Sequence, residues 1–194
     1  METRLKIDIL KQPDDTACGP TCLHAVYRYY GDEVPLAQVI KHCARLRWGG
    51  TLAVMLACHA LKRGYHASIH TYNLEVFDPT WFATPEPGAQ PVDLRKKLRA
   101  RLRAKKGKRH KAEIKAYLEF LELGGDLRFE DLTPALIADF LRQGKPVLTG
   151  LSSTYLYRTP REYGTKCVDD DVRGDPSGHF VVLFGHDPAA NTVH

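Results

Sequence analysis

Cys18-Gly19-Pro20 opens a helix on a thiol, and a helix placed this early does most to limit what the chain can fold into. Behind it Cys22, Leu23, Val26, Tyr27 and Tyr30 recur at helical spacing, so residues 21–30 should carry one apolar face that must be covered. Pro20 suits the first turn, where a missing N–H costs nothing. Gly31 is a natural stop. The segments with strand character lie mostly at the other end of the chain, at 146–151, at 179–186 and from Thr192 onward. Helices first and strands late predict an α+β domain, with the N-terminal helix packed on a mostly antiparallel C-terminal sheet.

The segments between can be read in the same way. Residues 5–10 alternate weakly and suit a short strand. A second helix is expected at 35–46, with Leu36, Val39, Ile40 and Cys43 inward. Gly49-Gly50 breaks the chain, and Thr51 is placed to cap a third helix running to about Lys62. Residues 67–72 gather β-branched and aromatic side chains and suit a strand. Five proline or glycine residues mark 78–91 as irregular. Leu94, Leu98 and Leu102 then make a narrow apolar stripe on a cationic helix, which Gly107 interrupts. Ile114, Tyr117, Leu118, Leu121 and Leu123 rebuild an apolar face, so 93–131 reads as a helical insertion in a single domain of residues 1–194. Thr133-Pro134 starts one more helix, which Gly144 ends. Residues 165–177 are a loop rich in Asp and Gly, and 187–191 a turn.

Apolar content of 43% over 194 residues is enough for a sizeable core. No long uncharged stretch suits a membrane span, and the first eleven residues lack the apolar block of a secretory signal. These features predict a cytoplasmic protein. Five cysteines at irregular spacing argue against a disulfide framework. The net charge of +5 is one segment's property. Residues 94–115 hold 12 Lys or Arg and one acid, Glu113, while the rest of the chain holds 16 basic and 22 acidic residues. That segment is either a solvated helix face or a surface for an anionic partner such as nucleic acid or an acidic peptide. It lacks the interleaved aromatics that stacking on single strands requires.

Gln12 precedes Cys18 by six residues, and Gly178-His179 opens the apolar run 180–184. A thiol attacks only as thiolate, and a helix start and a neighbouring imidazolium both favour the negative charge. Acyl transfer also needs donors aimed at the developing oxyanion, and the Cys18 backbone N–H and the Gln12 carboxamide can supply two. Of nine histidines, His179 has the best setting, because a strand mouth can aim a ring into a cleft while the strand anchors it. His24 shares the first helix but lies nearly two turns from Cys18.

The block Gln12-x5-Cys18-Gly19-Pro20, together with Gly178-His179 and its apolar strand, resembles the bacteriocin-processing peptidases of cysteine peptidase family 39. These are papain-like proteases that cut after a double-glycine leader. The likeness covers about 35 residues at the two ends, and residues 94–131 have no counterpart in it. It implies a papain-like cysteine peptidase or amidase in which Cys18 is the nucleophile, His179 the base and Gln12 the oxyanion donor, with no cofactor and a peptide or protein substrate. A small residue such as Gly before the scissile bond is implied by the resemblance alone. The family carries an orienting Asp on the strand after the His strand. Here Asp187 is the nearest downstream acid, eight residues past His179 and about 26 Å away on an extended strand at ~3.3 Å per residue. The expectation is that the chain runs on beyond His194 in its natural form, and that without the acid activity is weak.

Rival readings keep the same residues. The thioester could pass to an amine in acyl transfer, or the fold could bind a peptide without catalysis. Cys22, Cys43 and Cys58 suit core filling. A zinc site from cysteines with His42 and His59 lacks a paired Cys-x2-Cys knuckle. Asp169-Asp170-Asp171 departs from the calcium-loop pattern.

Overall fold

The computed structural model describes residues 2–46, 50–84, 90–164 and 167–194. In chain order it contains β1 (Thr3–Arg4), α1 (Cys18–Tyr29), α2 (Leu36–His42), α3 (Ala53–Lys62), β2 (Ser68–His70), a 3-10 turn (Pro79–Trp81), α4 (Leu94–Ala104), α5 (Lys108–Glu122) and β3 (Asp126–Arg128). There follow α6 (Pro134–Arg142), β4 (Val147–Ser152), α7 (Ser153–Tyr157), β5 (Glu162–Tyr163), β6 (Val168–Asp169), β7 (Gly178–Leu183), β8 (Gly185–Asp187) and β9 (Thr192–Val193). The fold class is α+β. Among the described residues no helix is long and apolar enough to cross a membrane. The Gly49-Gly50 break and the loops at 78–91 and 165–177 fall partly outside the described residues.

Where the sequence predicts a single domain, the chain divides into two compact units, Met1–Lys41 with Ala135–His194, and His42–Pro134. The insertion expected at 93–131 lies inside the second unit, which extends beyond it on both sides. The reason is a parallel pairing of β2 with β3, Ser68 opposite Asp126 and His70 opposite Arg128, which binds the segment before the cationic helices to the segment after them.

In the first unit, α1 follows its apolar spacing and ends at Gly31, whose φ of +79° favours glycine. It packs on β7 and buries Cys22, Leu23, Ala25 and Tyr27. β7 pairs antiparallel with β4, from Ser152 opposite Gly178 to Val147 opposite Leu183. β8 is flanked by β1 and β9, both antiparallel. The continuous strand expected at 179–186 is broken at Phe184. There the N–H groups of Phe184 and Gly185 both donate to the His194 carbonyl, at 2.7 and 3.2 Å, which is a bulge. The strand expected at 5–10 is absent: β1 is shorter and earlier, and Leu5 N–H alone carries the pairing on, to Phe184 O at 2.7 Å. The Tyr29 hydroxyl donates to Gly144 O at 3.0 Å and joins the end of α1 to the end of α6.

The second unit has its own core, centred on Val54, Phe77, Leu98, Ile114, Tyr117 and Phe120. The leucine stripe of α4 is used here, with Leu98 fully buried. Gly125 passes so close to the Phe120 ring that a Cβ there would clash with it. α2 is shorter than the expected 35–46. The chain turns back instead, with Thr51 Oγ1 donating to Ala44 O at 2.8 Å and Leu46 N–H to Gly50 O at 3.0 Å. Thr51 therefore spends its hydroxyl on Ala44, and among the described residues α3 starts without a side-chain cap bond.

Asn73 organises a polar seam beside that core. Its Oδ1 accepts from the N–H groups of Glu75 and Val76, and its Nδ2 donates to Glu113 Oε1 at 2.6 Å. Burial raises the Glu113 carboxyl above the ordinary Glu value, against the opposing pull of the Asn73 amide. Burial, with the Glu113 charge adding, also pushes the Tyr117 phenol up to about 12. A carboxyl raised on folding contributes stability that is complete below its unfolded-state value and is lost as pH rises through the folded value. Glu113's own contribution to the melting temperature should therefore fall as pH rises through and above the ordinary Glu range. Glu113→Gln keeps an acceptor for Asn73 and should flatten that fall, as read by circular dichroism at a series of pH values. Parallel curves for the two proteins would contradict this.

Candidate active site

Local sequence sets the start of α1. Asp14 accepts from Thr16 through its side chain, with N–H at 2.8 Å and Oγ1 at 2.7 Å, and its carbonyl accepts from Ala17 N–H at 3.2 Å. This turn delivers the chain into the helix at Cys18, with Ala17 at the cap and no side-chain cap bond. A helix leaves its first four N–H groups without internal partners. Here Ala17 uses its own on Asp14, and Pro20 has none. The amides of Cys18 and Gly19 remain, side by side at the thiol.

One turn further, the Cys22 thiol donates to the Phe180 carbonyl of β7 at 3.3 Å. Burial, with the Cys18 charge adding, pushes the Cys22 thiol up to about 12, so it stays protonated and keeps this donor. The contact draws the Cys18 face of α1 to the strand residue next to His179. Gln12, Cys18 and His179, the three residues singled out in the sequence, accordingly line one cleft of about 180 Å³. All three are half-buried, so each is anchored while still reachable from solvent. His179 stands opposite Leu151 of β4, and among the described residues its ring has no hydrogen-bond partner.

Two wall features were not foreseen. Ile9 and Leu10, from the segment expected to be a strand, form an apolar side of the cleft. Thr21 lines it as well; it is 2% exposed, and among the described residues its hydroxyl has no partner. The signal for Thr21 was present in the spacing, since a residue three past Cys18 shares its helix face.

The other candidates are placed elsewhere or otherwise occupied. His24 is buried in α1 and its pKa is lowered, chiefly by burial and then by Arg28, which favours the neutral ring. The Asp187 carboxylate accepts from the N–H groups of Ala189 and Ala190 and so holds its own turn. Asn191 sits in that turn at φ +51°. Asp170 accepts from the N–H groups of Val172 and Arg173 and pairs with the Arg173 guanidinium at 2.6 Å.

The remaining thiols are buried or sit beside a carboxylate. Burial pushes Cys43 up to about 11 and Cys58 up to about 12. Cys167 is exposed, but Glu162 raises its pKa through a hydrogen bond and its charge. Iodoacetamide near neutral pH should therefore modify Cys18 first, as mapped by peptide mass spectrometry over time. Earlier modification of Cys167, or of any buried thiol, would contradict the arrangement. The chain matches no family model, no curated protein and no solved structure.

Proposed function

We propose that the chain is a papain-like cysteine peptidase or amidase that works through a Cys18–His179 pair. The observation that carries this reading is the meeting of Gln12, Cys18 and His179 around one cleft, at a helix start that has no side-chain cap bond among the described residues. Cys18 gives its proton to His179, and the sulfur attacks the carbonyl carbon of a peptide bond. The negative charge that develops on the carbonyl oxygen is met by the Cys18 N–H and the Gln12 carboxamide. His179 then passes the proton to the leaving amine as the C–N bond breaks, which leaves a thioester on Cys18. Water, giving a proton to His179, cleaves the thioester and releases the acid.

Several features support a peptide as substrate. The cleft is open, and one wall is apolar through Ile9 and Leu10. In the same unit, α7 and the segment that follows expose Tyr155, Leu156, Tyr157 and Tyr163, apolar surface of a kind that an extended chain can use. The resemblance to double-glycine leader peptidases adds a preference for Gly before the scissile bond. With Asp187 engaged in its turn, the described residues leave the imidazole tautomer unfixed, and turnover is expected to be slow.

The test uses a fluorogenic peptide carrying Gly-Gly before the reporter amide. Cys18→Ala and His179→Ala should each abolish turnover. Gln12→Ala should lower kcat by roughly 10²–10³ with little change in KM, the effect of losing one oxyanion donor. Mass analysis of a Cys18 acyl adduct, with and without an added amine, reads whether water or amine receives the acyl group. Turnover that survives Cys18→Ala would end the proposal.

A further inference from the structure

We propose that the exposed face of the α4–α5 hairpin binds the phosphate backbone of a nucleic-acid duplex. Residues 94–115 carry 12 Lys or Arg against the single acid Glu113. Arg99 pairs with Glu122 at 2.9 Å, Arg101 donates to Glu75 O, and Lys97 and Arg101 lie over the Trp81 ring. The other nine cations make no ion pair among the described residues. Of the acids beside this face, Asp78 accepts from Thr80 N–H near Lys97 and Arg101, Asp93 caps α4 through Lys96 N–H near Arg95 and Arg99, Glu113 is held by Asn73, and Glu119 is paired with Lys62. Arg95, Arg99 and Arg103 recur every four residues, about 6 Å apart along the axis at ~1.5 Å per residue. The turn into α5 adds Lys105, Lys106, Lys108 and Arg109.

The packing of this hairpin decides among anionic partners. An amphipathic basic helix that lies on a membrane needs a free apolar face. Here that face is closed, because Leu98 is fully buried in the core of the unit and Leu94 and Leu102 pack against it. Among the described residues no large apolar side chain between positions 94 and 122 is exposed. That also disfavours an acidic protein, whose interface would need an apolar centre. No exposed aromatic stands among the cations, and the face of Trp81 is covered by Lys97 and Arg101, so bases have nothing to stack on. What remains is fixed, unpaired positive charge, which fits phosphates whatever the base sequence. This inference does not depend on the chemistry of Cys18.

The experiment is fluorescence anisotropy of the whole chain with a short mixed-sequence duplex, as DNA and as RNA, between about 50 and about 200 mM salt. At least one duplex should bind with a Kd of roughly 10⁻⁴–10⁻⁶ M at physiological salt. The triple variant Arg95→Gln, Arg103→Gln, Lys106→Gln should bind more weakly and lower the slope of log K against log salt by up to about 2.7, at about 0.9 per phosphate contact. Its far-UV circular dichroism should match that of the parent. Arg158→Gln, which removes an exposed cation from the other unit, should leave the duplex affinity unchanged. The proposal is overturned by no binding of either duplex at low salt, or by an unchanged slope in a folded triple variant. It is equally overturned by equal or tighter binding of a single strand, of polyglutamate or of phosphatidylserine vesicles.

Discussion

The thiol of Cys22 reaches the Phe180 carbonyl at 3.3 Å, and through that contact α1 holds to β7 where the candidate site needs it. Cys22 lies one helical turn from Cys18, and Phe180 is the neighbour of His179. A small, buried donor suits this place. A larger side chain would lift the helix from the strand, and a charged one would be left in a dry interface. Burial keeps the sulfur protonated, so the donor persists where an exposed thiol would begin to ionise. The two catalytic candidates thus depend on a residue that takes no part in the chemistry proposed for them.

Much of this was legible because it is local. The period of Cys22, Leu23, Val26 and Tyr27 specified α1, Pro20 and Gly31 marked its ends, and Gln12, Cys18 and His179 announced themselves by residue type and context. What escaped were effects of tertiary pairing. β2 pairs with β3 across almost sixty residues, and nothing in either three-residue segment announces that, so the insertion read as shorter than the unit that holds it. The break at Phe184 comes from two N–H groups sharing one carbonyl, which hydropathy does not encode. Thr51 had the right chemistry for a cap and used it on Ala44 instead. The segment at 5–10 alternated too weakly to hold a strand, and two of its side chains became a wall of the cleft.

The leucine stripe of α4 shows how one pattern yields two consequences. Its apolar side completes the core around Phe77, Ile114 and Phe120. Its cationic side is left on the surface, with few acids to neutralise it. Packing thereby removes the alternatives that an isolated basic amphipathic helix would keep open, and leaves charge as that surface's main chemical property.

Cys18 and His179 line one cleft, and the proposed chemistry needs the sulfur and the ring to meet across it. The most direct test of that meeting is the NMR spectrum of the histidine rings before and after Cys18 is converted to its methyl disulfide. The His179 resonances should move while those of His66 and His70, in the other unit, stay in place. A His179 signal indifferent to the modified sulfur would contradict it.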